Sequence, residues 1–173
     1  MYPYLRIIKL FATKKARKKL AIDDESILKM RVHLGDIDPF MELNNGRHLT
    51  MMDFGRFDLA MRSGLLKVVK QQGWGLAVAG ASVRYRHRLK LFQKYTLHSQ
   101  IVGYDHKWFY FHQKTVSNGK IHSAALIRTA VTSKNGAVES AKVLSVMGYD
   151  KVEYSVPQWV AAWAKADELR PWK

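Results

Sequence analysis

The sequence predicts an α+β domain in which one long helix precedes an antiparallel sheet, and three observations carry that prediction. Apolar side chains recur at helical spacing across residues 46–69 (Leu49, Met52, Phe54, Phe57, Leu59, Ala60 and Leu65). From Gly75 the texture changes to four strand-like runs, 76–88, 95–104, 107–117 and 120–133. Between the last two stands Ser117-Asn118-Gly119-Lys120, whose Asn-Gly pair tolerates the positive φ angles of a tight hairpin turn.

At 173 residues, 47% of them hydrophobic, the chain suffices for one domain with a proper core and is short for two. We divide it into a basic amphipathic segment (1–22), a central domain (23–138) and a helical extension (139–173). The absence of cysteine excludes disulfides, a thiolate zinc site and a cysteine nucleophile. No metal and no separate cofactor are expected. No run approaches the ~20 apolar residues that span a bilayer, and the first residues lack the apolar core of a secretory signal. The expectation is a cytoplasmic protein, free or peripheral on a membrane.

The elements follow in order. Seven of the 29 Lys and Arg residues, and none of the 14 acids, fall between Met1 and Leu20, within a net charge of +15. Tyr4, Leu5, Ile7, Ile8 and Phe11 share one helical side ahead of the basic run. One reading is a helix lying in an anionic membrane surface through residues 1–20; the other is a helix packed on the domain or on a partner subunit. Asp23 and Asp24 end this segment, and residues 26–34 read as a strand leading into a loop. Residues 35–44 are rich in turn formers. The long helix follows, with Gly64 and Gly73 as punctuation. Residues 140–147 and 156–169 read as closing helices, the second with Trp159, Val160 and Trp163 on one side.

Polar groups concentrate just before the long helix, in Gly35-Asp36-Ile37-Asp38-Pro39-Phe40-Met41-Glu42-Leu43-Asn44-Asn45-Gly46-Arg47-His48-Leu49. The first turn of a helix offers N–H groups without internal partners and the positive end of its dipole, so it can stabilise an oxyanion on a thioester carbonyl. A carboxylate on the loop can then act as nucleophile or as base for water. The alternative is that these residues only cap the helix. Farther on, Arg84, Arg86 and Arg88 alternate with Tyr85 and His87, which on a strand puts the arginines on one side. They suit the phosphates of coenzyme A, a nucleic acid, or simply solvent; nucleic acid is prompted by charge alone. Trp108, Phe109, Tyr110 and Phe111 read as core and subunit packing.

Asp36-x-Asp38, Asn44-Asn45, Leu49, Asp53 and Arg56 resemble the signature of the 4-hydroxybenzoyl-CoA thioesterase group of the hotdog superfamily, approximately D-x-D-x-x-x-H-x-N-N-x-x-Y-L with an acid and an arginine farther along the helix. The resemblance runs over about residues 26–133 and is closest to the branch of thioesterase superfamily member six and its bacterial relatives. It implies a hotdog fold, a long helix wrapped by an antiparallel sheet, here with N- and C-terminal helical extensions. It further implies a homodimer, or a dimer of dimers, built by edge-strand pairing. The implied activity is hydrolysis of an acyl-CoA thioester to free acid and CoA, with coenzyme A present only as part of the substrate. By position, Asp38 matches the catalytic carboxylate and the Asn45 N–H the donor to the thioester oxygen. Asp36 matches a structural acid, and Asn44 fixes the loop. Glu42 replaces the usual histidine and His48 the usual tyrosine. With Asn44 and Asp53 they are the candidate substrate-binding residues; Asp53 and Asp58 are also secondary candidates for the carboxylate. Arg84, Arg86 and Arg88 are candidates for the CoA phosphates. The departures at 42 and 48 also suit a rival, a non-catalytic hotdog module that binds acyl-CoA or lipid at a membrane surface.

Overall fold

The computed structural model describes residues 3–13, 16–149 and 153–171. Lys14 and Lys15 of the expected basic run lie outside them. The elements are α1 (Tyr4–Ala12), β1 (Ser26–Arg31), α2 (Asn45–Arg62), α3 (Leu65–Gln71), β2 (Gly75–Tyr85), β3 (Lys94–Tyr104), β4 (Phe109–Ser117), β5 (Lys120–Ser133), β6 (Gly136–Val138), α4 (Ser140–Val146) and α5 (Gln158–Glu168).

All strand pairings are antiparallel, in the order β1-β3-β4-β5-β2, with β6 added to β5 beyond the end of β4. The first and second strands of the chain are therefore the two edges. Asn118 and Gly119 take φ of 50° and 71° at the β4–β5 turn, the left-handed conformation that the dipeptide favours. β3 alternates buried and half-buried residues as a one-faced strand should, whereas Phe109, Tyr110 and Phe111 are buried in succession. The sheet is covered on both sides there. α2 packs on one face, and on the other Val160 and Trp163 of α5 meet Tyr110 and Leu126. Trp159, expected on the same side as these, is half exposed, its ring edge-on to His112 at 5.7 Å.

The helix expected over 46–69 is two helices. Ser63 caps α2, and Gly64, at φ 87°, turns the chain before α3 begins. Asn44 begins α2: its Oδ1 accepts from the N–H groups of Gly46 (2.9 Å) and Arg47 (3.4 Å). Where α2 crosses β3 and β4 it carries Gly55. A Cβ there would fall on the Ser99 hydroxyl and within 2.9 Å of Gln113 Nε2. Close approach lets Gln113 bridge the layers, donating to Met52 O (2.9 Å) and Ser99 Oγ (2.6 Å) while accepting from Arg56 Nη1 (2.6 Å).

Asp58 is the second polar anchor. Fully buried on α2, it pairs with Arg17 and with Arg62 (2.9 Å) and accepts from Ser26 Oγ (2.6 Å). A carboxylate so deeply buried needs this many partners. They join the N-terminal segment, β1 and α2 at one point, and commit Asp58 to structure.

Candidate functional site

The loop before α2 is built on two carboxylates with different tasks. Asp36 is buried. Its Oδ2 accepts from the N–H of His33 (3.0 Å) and from Arg6 of α1 (2.6 Å), and Arg47 approaches its other oxygen at 3.9 Å. Its carbonyl accepts from Asn44 N–H at 2.9 Å, so the acid that locks the loop also positions the helix cap. Asp38 is only half buried. Residues 37–43 form a small hairpin closed by the Ile37–Leu43 bridge and by Asp38 N–H to Glu42 O (2.9 Å). Asp38 Oδ1 accepts from Phe40 N–H at 2.9 Å, an Asx turn that leaves its other oxygen outside that bond. Met41 completes the turn at φ 60°, a left-handed conformation costly for a side chain of its kind. The strain is borne because Glu42 bridges Lys90, Leu43 N–H bonds Leu89 O (2.8 Å) and Leu91 N–H bonds Met41 O (3.1 Å).

Asn45 is the first residue of α2, so its N–H has no intrahelical partner, and the Asn44 side chain serves Gly46 and Arg47 instead. The Asn45 carbonyl accepts from Tyr85 Oη at 3.1 Å, tying the helix entrance to the end of β2. Glu42 lies 3.0 Å from Arg88 Nε, though the two are not aligned as a hydrogen bond. The extra carboxylate beside Asp38 thus meets a cation.

His48 turns inward. Its Nδ1 lies 3.1 Å from Ser123 Oγ, which in turn lies 2.8 Å from Thr115 Oγ1, and its ring meets Tyr85 edge-on at 5.0 Å. Burial, with a smaller contribution from His122, lowers its pKa to about 4, so the ring is neutral at pH 7.

Asp53 is not with this group. It pairs with Arg56 and lines an apolar cavity of about 140 Å³ between α2 and the sheet, among Phe57, Leu76, Val78 and Phe111. Burial raises its pKa more than Arg56 lowers it. The three arginines do not share a strand face. β2 ends at Tyr85, because the N–H groups of Arg86 and His87 both turn to the carbonyl of His122 (2.8 and 3.1 Å). Only Arg84 is on the strand, and only Arg88 touches the loop. Tyr85, expected only to alternate with the arginines, holds both Asn45 and His48 through its hydroxyl and ring, contacts that no local signal in the sequence announces. Among the described residues no three His, Asp or Glu side chains converge as metal ligands.

The sequence model of the thioesterase-like superfamily matches residues 32–164. The chain belongs to the thioesterase-like superfamily. Within this superfamily it is similar to Protein THEM6 of Drosophila melanogaster, 25% identical over 169 residues, which cover 96% of this chain and 81% of the relative. Protein THEM6 of Xenopus laevis is 28% identical over 160 residues, 89% of this chain and 75% of the relative. Among solved structures, the probable thioesterase YbaW of Escherichia coli superposes with a TM-score of 0.64 at 20% identity, covering 70% of this chain and 97% of that one. A mutant 4-hydroxybenzoyl CoA thioesterase complexed with 4-hydroxybenzoyl CoA superposes with a TM-score of 0.63 at 14% identity, over 71% and 98%. At such identities the likeness is one of fold, and that fold is the hotdog: α2 wrapped by the antiparallel sheet.

Proposed function

We propose that this thioesterase-like protein hydrolyses an acyl-CoA thioester, with Asp38 as the reacting carboxylate and the Asn45 N–H as donor to the thioester oxygen. The observation that carries the reading is the division of labour in the loop. Asp36 is consumed by Arg6, Arg47 and the His33 N–H, while Asp38 is half exposed on the loop that leads into α2, whose first N–H is left over. In the step, Asp38 takes a proton from water, the water oxygen bonds to the thioester carbon, and the carbonyl oxygen gains charge against the Asn45 N–H. Collapse breaks the C–S bond, and the CoA thiolate leaves and takes up the proton.

Asn44 and Glu42 support this arrangement as positioning residues, through the helix cap and the Arg88 ion pair respectively. His48, buried and neutral, steadies the first turn of α2. The Asp53 cavity suits the end of an acyl group. Arg84, Arg86 and Arg88 remain a diffuse cationic surface for the CoA phosphates. A homodimer through β2 belongs to the same reading: it is an edge strand, and Val78 on it is 56% exposed.

The test is thiol release from short, long and aromatic acyl-CoAs by wild type and by Asp38→Asn. Asparagine keeps the oxygen that accepts from Phe40 N–H, so the loop survives. We expect turnover to fall by at least ~100-fold with melting unchanged. Undiminished turnover would move the carboxylate to Asp53 or Glu42.

One observation favours a second reading, a non-catalytic lipid-binding module at a membrane surface. α1 buries no residue, and Leu5 is 84% exposed with Tyr4 and Ile8 beside it. Among the described residues no helix is long and apolar enough to cross a membrane. Co-sedimentation with anionic vesicles, without turnover of any acyl-CoA, is its signature.

A further inference from the structure

At the edge of the sheet away from β2, α1 is tied to the domain through Arg6 and Phe11 but stands off the strands. Between it and the strands β1 and β3 runs a groove of about 1040 Å³, at the top of the range of ~300–1,000 Å³ usual for small-molecule sites. Leu10 of α1, Leu28 and Met30 of β1, and Phe54 of α2 give it apolar walls. Because the groove runs over the free edge of β1, the alternate residues of that strand contribute too, and these are Lys29 and Arg31. Lys9 adds an exposed cation on the groove side of α1, whereas Lys94, in register with Arg31, lies on the strand face opposite Tyr95. None of these four has an ion pair among the described residues, and no carboxylate lines the groove there. A hollow with apolar walls, a basic rim and no acid matches an amphiphile with a negative head.

A second, independent feature points the same way. Tyr95 lines the groove and is 4% exposed, yet its hydroxyl has no hydrogen-bond partner. An unpartnered buried hydroxyl is costly, and a ligand oxygen would relieve it. Burial raises the Tyr95 pKa, with Asp36 adding to the rise and Arg6 opposing it, so the phenol stays a donor. Nearby, Asp36 is outnumbered by Arg6 and Arg47, which leaves the surroundings net positive.

We propose that this groove binds a long-chain fatty carboxylate, its head accepting from the Tyr95 hydroxyl in the field of Arg6 and Lys9, its chain lying along Leu10, Leu28 and Met30. The site is separate from the cavity beside Asp53 and does not depend on turnover at Asp38.

The experiment is calorimetric titration of the full chain with palmitate below its micelle concentration, repeated with hexadecyltrimethylammonium and on four variants. Wild type should bind one palmitate and melt higher with it. Tyr95→Phe and the surface variant Lys9→Glu should each weaken binding at least fivefold, and Met30→Trp, which fills the groove, should abolish it. Asp38→Asn should bind as wild type does, separating this site from the thioester site. Melting curves without ligand identify any variant that misfolds, and the surface variant Lys9→Glu still decides the matter if Met30→Trp does. The proposal is overturned if folded wild type binds no monomeric palmitate, or takes it up only from vesicles. It is equally overturned if the cationic detergent binds as well, or if the folded variants all match wild type.

Discussion

His48 Nδ1 stands 3.1 Å from Ser123 Oγ, so the first turn of α2 is fastened to β5 across the core rather than held only by its own cap. The ring's lowered pKa makes this contact sensitive to acid. The unfolded chain takes up the His48 proton near pH 6.5, and the folded protein not until about 4. Its stabilising effect is therefore complete above about pH 6.5 and is lost as the pH falls toward 4, by up to about 3 kcal/mol. Melting temperatures between pH 7.5 and 4.5 should fall more steeply for wild type than for His48→Gln; equal slopes would remove His48 as the cause.

Asp58 holds Arg17, Arg62 and the Ser26 hydroxyl together. Asp58→Ala strands all three and should cost about 3 kcal/mol in urea unfolding. Arg17→Met, which leaves Asp58 paired with Arg62, should cost less. If the two losses were equal, the junction would owe nothing to the shared carboxylate.

Gly55→Ala places a methyl against Ser99 and within 3.1 Å of Leu97 Cδ2. Stability should drop by about 1–3 kcal/mol, although alanine is the better helix former. A gain on denaturation would mean that α2 can lift from β3 without penalty.

Val78→Lys puts a charge on the exposed apolar part of the β2 edge. If two copies pair through β2, sedimentation should shift from dimer to monomer while the monomer's melting changes little. A dimer undisturbed by Val78→Lys would place its interface elsewhere.

Much of this architecture is legible in the sequence because its signals are local. The Asn118-Gly119 turn, the alternation along β3 and the cap at Asn44 each depend on residues a few positions apart. In the Asp36/Asp38 pair the resemblance alone makes Asp36 the structural acid; the partner that consumes it, Arg6, stands thirty positions away and is not announced by the motif. Asp58 is a secondary candidate for chemistry by its place on the helix, and nothing nearby in sequence announces Arg17 and Ser26 as the partners that take it up. The strand expected to reach Arg88 stops at Tyr85 because the carbonyl of His122, on another strand, captures the next two N–H groups. Long-range pairing decides these points, and composition carries no record of it.

The cover that α5 lays over the outer face of the sheet has a consequence for biosynthesis. Arg128 on β5 lies between the rings of Trp108 and Trp163, 5.0 and 5.4 Å from their centres, and its guanidinium reaches Asp167 at 2.7 Å. Two of those three neighbours are made some 35 to 39 residues after Arg128. Until residues 158–168 have left the ribosome and docked, Tyr110, Leu126 and the guanidinium of Arg128 have no cover on that face. During that interval the nascent sheet offers a sticky, cationic surface to whatever chaperone or anionic polymer is nearby, and the arrival of residues 158–168 withdraws it.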